Sequence, residues 1–313
     1  MAERVVEIHA PSRLHFGMFS FGQADLPQFG GVGLMVDSPG LVVRMSTAPT
    51  LATSGPLAQR AAETARRVAE HFQCEPRFRI EVVQAPRAHV GLGSGTQLGM
   101  AIAQGVCALQ GIEATAEQLA AACGRGRRSA IGVYGFAQGG LLVEGGKLPG
   151  VGLSPLVNRV ELPAAWRFLL LIPREVTGLH GDAEQRAFEH LPPVERAVTA
   201  QLEQIVHSEL IPAANAADFA RFAAALQAFN HLAGECFKSV QGGPYEARAA
   251  RIVASLRQSG IVGYAQTSWG PTIAVPFASA TAAEAARVAL QAEHDLEGII
   301  AAPQNRGARV IVT

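Results

Sequence analysis

The chain has 313 residues, long enough to bury a sizeable core, and two domains are the expectation at this length. Its 26 basic and 26 acidic side chains give no net charge, which argues against a nucleic-acid-binding protein, a class that carries a basic excess. Its four cysteines are widely spaced in apolar contexts, as reduced core thiols are, and no apolar run reaches membrane-spanning length. We therefore expect a cytoplasmic protein without a nucleic-acid or membrane partner.

The first predicted element is a strand over residues 5–10, which a short polar segment continues. In that segment Arg13 and His15 are two residues apart, so an extended chain turns both side chains to one side. We interpret the pair as facing a substrate, with an ordinary polar sheet face as the alternative. Asp25, in the next loop, has no evident role in a core. An amphipathic helix over 56–72 is then predicted to turn its Arg and Glu side chains to solvent.

A glycine-rich turn connects a predicted strand over 78–83 to a buried apolar helix over 98–109. The turn contains Gly91, Gly93, Ser94, Gly95 and Thr96. Glycines let backbone N–H groups approach a ligand closely, and the helix N-terminus adds partial positive charge. These features predict a cradle for phosphate or diphosphate; the alternative is a turn that is merely tight.

Three arginines follow the next predicted helix, which begins at a capping-box sequence and ends near Cys123. They are Arg125, Arg127 and Arg128, with Ser129 beside them and glycines around them. Arginine suits bidentate contacts with phosphate or carboxylate, and only 17% of this chain is charged. The cluster therefore predicts an anion-binding site, with a solvated charge cluster as the alternative.

The composition shifts after Gly150, and we predict domains of residues 1–155 and 156–313. A buried strand over 167–173 leads into a glycine-punctuated turn that carries His180 and Glu184. Acidic residues at such a turn usually complement a helix dipole, but ligands of α/β proteins also bind where central strands end. Three helices, a hairpin, a further helix and a closing strand complete the pattern. Their order predicts an α+β chain whose second domain is ferredoxin-like with inserted helices.

Four stretches taken together resemble the GHMP kinase superfamily, and within it the β-ribofuranosylaminobenzene 5′-phosphate synthase family of methanopterin biosynthesis. They are residues 11–17, 89–97, 124–132 and 267–272. The phosphate loop of the kinases ends in two serines, and Gly95 stands here in place of the second. Gly132 stands where the kinases carry their catalytic aspartate, and a glycine can neither accept nor orient a hydroxyl proton. The chain thus resembles the kinase scaffold without the kinase chemistry.

The resemblance implies a GHMP-kinase-like two-domain fold, with an N-terminal ribosomal-protein-type βαβ domain that carries the phosphate loop. It also implies a phosphoribosyltransferase that joins 5-phosphoribosyl diphosphate to 4-aminobenzoate or 4-hydroxybenzoate. Such an enzyme releases CO₂ and diphosphate and uses Mg²⁺ to neutralise the leaving group. A base that takes the proton of the para amino or hydroxyl group helps the ring to attack.

The same resemblance implies roles for particular residues. Diphosphate is expected on the glycine loop and the arginine cluster: Gly91, Gly93, Ser94, Gly95, Thr96, Arg125, Arg127, Arg128 and Ser129. Substrate contacts are expected from Arg13, Ser268, Trp269 and Gly270. The candidates for the base, without a ranking, are His15, Asp25 and His180. The candidate metal ligand is Glu184.

Two other functions stay open on the sequence. An atypical ATP-dependent small-molecule kinase needs an acid in place of Gly132, for which Asp182 and Glu184 are candidates. A non-catalytic phosphosugar-binding protein keeps the anion site without turnover. The long apolar helices and the prevalence of symmetric oligomers lead us to expect a homodimer.

Overall fold

A computed structural model describes residues 4–174, 178 and 181–313, without the side chains of residues 182–184. Two β-sheets organise these residues. The seven strands of the first sheet are β1 (Val5–Gly17), β2 (Gly31–Thr47), β3 (Ala52–Ser54), β4 (Phe78–Gln84), β5 (Leu141–Glu144), β6 (Leu156–Val160) and β11 (Arg309–Val312). They run in the order β11-β1-β2-β4-β3. The first four residues of β2 pair with β5, which pairs in turn with β6, whereas the last six residues of β2 pair with β4. All neighbours are antiparallel except β3 and β4.

Four helices pack with the first sheet: α1 (Ala58–His71), α2 (Ser94–Gln110), α3 (Ala116–Cys123) and α4 (Ile131–Gln138). As predicted, α2 is a buried helix and α3 begins with a capping box at Thr115. The structure starts α2 four residues before the predicted position. Gly93, in a left-handed conformation with φ 70°, ends the loop there, so Ser94 and the two residues after it form the first helical turn.

The second sheet contains β7 (Arg167–Pro173), β8 (Ala265–Gln266), β9 (Ile273–Phe277) and β10 (Leu296–Ala301) in the antiparallel order β10-β7-β9-β8. Its helices are α5 (Gly181–Glu189), α6 (Arg196–Ile205), α7 (Ile211–Asn215), α8 (Phe219–Glu235), α9 (Lys238–Gln241), α10 (Ala247–Gln258) and α11 (Ala280–Glu293). A π-helical turn, Val206–Leu210, joins α6 to α7. This arrangement is the predicted ferredoxin-like plan with inserted helices, and the hairpin predicted at its centre is β8 with β9.

Strand pairing crosses the predicted domain boundary between residues 155 and 156, which stays a prediction. Strand β6 pairs with β5, and the closing strand β11 pairs with β1, so both belong to the first sheet. The backbone N–H and C=O groups of β5 and β6 find their partners in this sheet. Local composition does not indicate which strands will pair. The sheet and helices of the second half thus span residues 167–301, and residues 302–308 contact the first sheet and α4.

One hydrophobic cluster connects the two halves. It contains Leu14 and Phe16 of β1, Phe168 of β7, and Phe222 and Phe229 of α8, each at most 1% exposed. Because α8 packs on β1 as well as on β8, the segments that carry the predicted site residues are held against one another. Among the helices of the described residues, none is long and apolar enough to cross a bilayer.

Candidate functional site

A cavity of about 860 Å³ lies between the loops of the two halves, within the size range of small-molecule sites. His15 and every residue that was predicted to hold phosphate or substrate line it. The lining thus includes Arg13, His15, Gly91, Gly93, Ser94, Gly95, Thr96, Arg125, Arg127, Arg128, Ser129, Ser268, Trp269 and Gly270. Stretches separated by more than 250 residues in the sequence meet here.

The hydroxyl of Thr267 joins the segments that form the cavity. It accepts a hydrogen bond from the His15 N–H at 2.9 Å and donates one to the Gly91 carbonyl at 2.8 Å. On either side, the Ser268 N–H donates to the His15 carbonyl at 2.8 Å, and the Thr272 hydroxyl donates to the Val90 carbonyl at 2.6 Å. Because these atoms are mostly buried, the bonds fix the position of the phosphate loop relative to β1.

Two glycines allow this close contact between loops. A Cβ on Gly270 would lie 2.4 Å from the Gly91 nitrogen, and a Cβ on Gly91 would lie 2.3 Å from the Thr267 carbonyl oxygen. Gly91 also has φ +94°, a conformation that side chains disfavour. The glycines of this loop therefore serve the contact between the halves in addition to leaving room for a ligand.

Positive charge collects on one side of the cavity, which we call the arginine side: Arg60, Arg125 and Arg127. Burial lowers the pKa of Arg125, and the charges of Arg60, Arg67 and Arg127 lower that pKa further. Within the described part of the chain, no carboxylate lies at ion-pair distance from the three side chains of the arginine side. Such mutual repulsion without a compensating acid is typical of a site that takes an anionic ligand.

Buried contacts hold the loop that carries these arginines. Glu144 of β5 is fully buried, and its Oε2 accepts from the Ala130 N–H at 2.6 Å, where α4 begins. Burial raises the pKa of this carboxyl group, whereas hydrogen bonds from Ser129 and Ala130 oppose the rise. At the other end of the loop, Lys147 Nζ donates to the Gly126 carbonyl at 3.1 Å. The role of Glu144 was not predicted from the sequence, because its hydrogen-bond partner lies at the start of α4 and not in β5.

Four aromatic side chains in the cavity lining contact one another, and we call them the aromatic wall: Phe21, Phe188, Phe237 and Trp269. The Trp269 ring packs edge-on against those of Phe237 and Phe188, with centroids 5.0 and 5.3 Å away. The guanidinium of Arg128 lies 4.5 Å from the centroid of the Phe188 ring. A cation over the face of an aromatic ring is attracted to the ring. We therefore assign Arg128 to the aromatic wall and not to the arginine side.

His15 and Arg13 lie on β1 in the same cavity. Burial lowers the pKa of His15 to about 3, and the positive charge of Arg13 contributes. The imidazole is therefore neutral at physiological pH, and its Nε2 has no hydrogen-bond partner in the described structure. Arg13 Nη2 donates to Ser268 Oγ at 2.9 Å, which connects β1 to the loop after β8.

Of the three remaining candidates, the structure describes the side chain of one. Asp25 lies apart from the cavity lining, 61% exposed and paired with Arg196, and its role as a base stays a prediction. A lone acid in a glycine-rich loop carries no pattern that tells a surface ion pair from a catalytic group. His180 and the side chain of Glu184 lie outside the described residues, so their roles as base and metal ligand stay predictions.

The described residues do not fit a resident magnesium ion. Mg²⁺ prefers oxygen ligands, usually carboxylates. Within the described residues, Glu189 supplies the one carboxylate of the cavity lining, and no group of three or more His, Cys, Asp or Glu residues could hold a metal. At the position of the kinases' aspartate, a Cβ on Gly132 would lie 2.9 Å from Thr96 Cγ2 and 3.5 Å from Arg13 Cδ. That position thus touches the phosphate loop and carries no acid.

Known proteins resemble this chain over most of its length. Residues 57–140 match the family described as GHMP kinases N terminal domain, and residues 210–296 match GHMP kinases C terminal. A β-ribofuranosylphenol 5′-phosphate synthase of Methanothermobacter thermautotrophicus is 29% identical over 288 residues, with 85% of this chain and 87% of the relative covered. A protein of the same name from Archaeoglobus fulgidus is 32% identical over 246 residues, with 73% and 76% covered.

A solved structure extends the likeness to the whole fold. Homoserine kinase from Cytophaga hutchinsonii aligns with a TM-score of 0.67 at 16% identity, and the alignment covers 98% of this chain and 97% of the kinase. At this identity the likeness concerns the fold alone. The predicted GHMP-kinase-like fold is confirmed.

Replacement of Thr267 by Val, which has the same shape, tests the connection between the loops. The His15 N–H and the Gly91 carbonyl lose their partner, and each unpaired buried polar group costs about 1–3 kcal/mol. We expect the free energy of unfolding to fall by about 2 kcal/mol or more in urea titrations. Thr267→Ser keeps the hydroxyl and is the matched control. Equal stabilities for the Val and Ser variants would contradict the assigned role.

The lowered pKa of His15 predicts a pH dependence of stability. The folded protein resists protonation of His15, whereas the unfolded chain does not. The contribution of neutral His15 to the free energy of unfolding is therefore complete above the unfolded pKa of 6.5 and is lost as the pH falls towards about 3. Relative to His15→Gln, the wild-type protein should lose about 2 kcal/mol between pH 7 and pH 5. Chemical denaturation at both pH values measures this difference, with a variant at exposed His190 as the control. Parallel curves for wild type and His15→Gln would refute it.

Proposed function

The chain belongs to the β-ribofuranosylphenol 5′-phosphate synthase family, and we propose that it catalyses the reaction for which that family is named. The proposed substrates are 5-phosphoribosyl diphosphate and 4-hydroxybenzoate, and the products are a C-riboside 5-phosphate, CO₂ and diphosphate. The relatives' name specifies a phenol, which favours 4-hydroxybenzoate over 4-aminobenzoate. One observation carries the proposal: a single cavity has an arginine side and an aromatic wall.

The arginine side suits the sugar diphosphate. The Arg60 guanidinium lies against Gly95 in the first turn of α2, where backbone N–H groups and the helix dipole also attract anions. Ser94 and Thr96 add hydroxyl donors to the same turn. Donors that are in place before the reaction stabilise the charge that develops on the leaving diphosphate, at no cost in reorganisation.

The aromatic wall suits the flat ring of a benzoate. Edge-on and offset contacts with aromatic side chains stabilise such a ring and exclude water from it. Trp269 was expected to contact the substrate, and its contacts with Phe188 and Phe237 support an extended aromatic surface for a ring. A ring bound here lies within the same cavity as the sugar diphosphate, so the two reactants are held together.

The proposed reaction balances without an external oxidant or reductant. The diphosphate leaves with the electron pair of its bond to ribosyl C1, and the ring carbon that bears the carboxylate supplies the pair for the new C–C bond. The bond to the carboxylate then breaks, its electrons restore the aromatic ring, and CO₂ departs. The hydroxyl group of the ring shares its proton with a base during the attack and keeps it at the end.

Arg13 and His15 are proposed to orient the ring. Neutral His15 offers Nε2 as a hydrogen-bond partner for the ring hydroxyl, although its low pKa makes it too weak a base to retain the proton. Arg13 can direct the carboxylate during binding. A lasting ion pair there would stabilise the ground state and oppose decarboxylation, and Arg13 is already engaged with Ser268.

The predictions of Mg²⁺ and of a homodimer stay open. Mg²⁺ as a resident ion does not fit the described residues and rests on Glu184 alone, so no step is derived through it. The homodimer stays a prediction that light scattering can test. Small-molecule substrates follow from the transferase activity of the family.

The proposed reaction predicts release of CO₂ that depends on the phosphoribosyl donor. Purified protein with 5-phosphoribosyl diphosphate and carboxyl-labelled 4-hydroxybenzoate should release labelled CO₂, and more slowly with labelled 4-aminobenzoate. Omission of the donor is the control for spontaneous decarboxylation. Formation of ADP from ATP and small alcohols, without labelled CO₂ from either acid, would reject the proposal in favour of a kinase.

The aromatic wall predicts a selective effect on the ring substrate. Trp269→Leu removes an aromatic contact worth about 0.5–1.5 kcal/mol beyond its buried area, so the KM for 4-hydroxybenzoate should rise several-fold. The KM for 5-phosphoribosyl diphosphate serves as the internal control and should stay close to the wild-type value. A rise in the KM for the sugar diphosphate alone would contradict this division of the cavity.

A further inference from the structure

Arg60 has a place in the cavity that its sequence position does not explain. It lies in the first turn of α1, whose buried stripe includes Ala61, Ala65 and Val68. An arginine next to such a stripe is usually solvated, as the amphipathic pattern predicted. The structure instead leaves Arg60 half-buried in the lining of the cavity, because α1 packs against α2 and brings the two helix beginnings together.

The guanidinium of Arg60 lies directly on the backbone of Gly95. A Cβ on Gly95 would be 2.7 Å from Arg60 Nη2, 2.9 Å from Cζ and 3.1 Å from Nη1. Gly95 is in the regular helical turn that begins α2, so its conformation is open to any residue. The group that takes the space beside Gly95 is therefore the Arg60 guanidinium, the flexible end of its side chain, which a Cβ there would displace.

Arg60 has no carboxylate counter-ion among the side chains that the structure describes. Its charge adds to those of Arg125 and Arg127, and in the described residues no carboxylate reaches any of the three. The Nε of Arg125 is also buried without a hydrogen-bond partner. Burying like charges next to a helix N-terminus is unfavourable unless a bound anion compensates them.

We propose that Arg60 is a diphosphate-binding residue and that Gly95 exists to admit its guanidinium beside the phosphate loop. Arg60 thereby adds a charged donor on the face of the loop where the kinases carry their second serine. This inference deepens the proposed function and rests on it. The arginine stabilises the negative charge that the diphosphate gains as the C1–oxygen bond breaks.

Calorimetric titration with inorganic diphosphate, in the presence of a chelator, tests the contribution of Arg60 directly. We expect Arg60→Gln to bind diphosphate about 10- to 100-fold more weakly, the range for loss of a hydrogen bond to a charged group. Arg60→Lys keeps the charge and should recover part of the affinity. Arg66→Gln, on the exposed face of the same helix, is the matched control and should bind as the wild type does.

A double-mutant cycle tests the connection between Arg60 and Gly95. Gly95→Ala displaces the guanidinium, so alone it should weaken diphosphate binding to an extent close to Arg60→Gln. In the Arg60→Gln background, Gly95→Ala should not weaken diphosphate binding further, because no guanidinium then occupies the space beside residue 95. Additive losses would show that Gly95 serves the loop itself, and would overturn its link to Arg60. Thermal unfolding of each variant confirms that it is folded.

The outcomes separate this inference from the proposed function. Wild-type protein that binds diphosphate with the same affinity as Arg60→Gln overturns the role of Arg60, whereas the synthase reaction stands on its own assay. Wild-type protein that binds neither diphosphate nor 5-phosphoribosyl diphosphate overturns both. A selective loss of diphosphate affinity in Arg60→Gln, with 4-hydroxybenzoate binding unchanged, supports the inference.

Discussion

The hydroxyl of Thr267 holds together three segments that are distant in the sequence. It accepts from β1 at His15 and donates to the phosphate loop at Gly91, and the glycines on both sides let the backbones touch. The cavity exists because these segments meet: β1 supplies Arg13, the loop supplies its N–H groups, and the segment after β8 supplies Trp269. A contact of two hydrogen bonds thus sets the positions of chemically different groups from both halves of the molecule.

The chain is neutral overall, yet its charges are distributed unevenly. Most of the ion pairs of the described residues lie on the exposed surface, whereas the three arginines of the arginine side have no described carboxylate at ion-pair distance. The aromatic wall lines the same cavity, with Arg128 against the ring of Phe188. This separation gives one cavity two chemical preferences, so a highly anionic sugar and a flat ring each have a favourable side. Glu144 and Lys147 hold the loop that carries the arginines through hydrogen bonds to its backbone at Ala130 and Gly126.

Local patterns predicted the parts of the site that are encoded locally. The glycine loop, the arginine cluster and the capping box of α3 depend on residues within a few positions of each other, and all are present in the structure. Arg60 was interpreted as solvated, because an amphipathic pattern shows which residues flank a buried stripe but not which helix will pack beside it. The partner of Asp25 could not be predicted for the complementary reason: Arg196 is 171 residues away. Long-range contacts of this kind arise only once the sheets and helices are assembled.

The pairing of β11 with β1 affects the order in which the protein can be completed. Val5 and Thr313 exchange backbone hydrogen bonds, so the strand that carries Arg13 and His15 gains its outer neighbour from a segment that follows the second sheet in the chain. Until that segment leaves the ribosome, one edge of β1 presents unpaired N–H and C=O groups to any passing strand. The first sheet is thus completed only after the second sheet has been made.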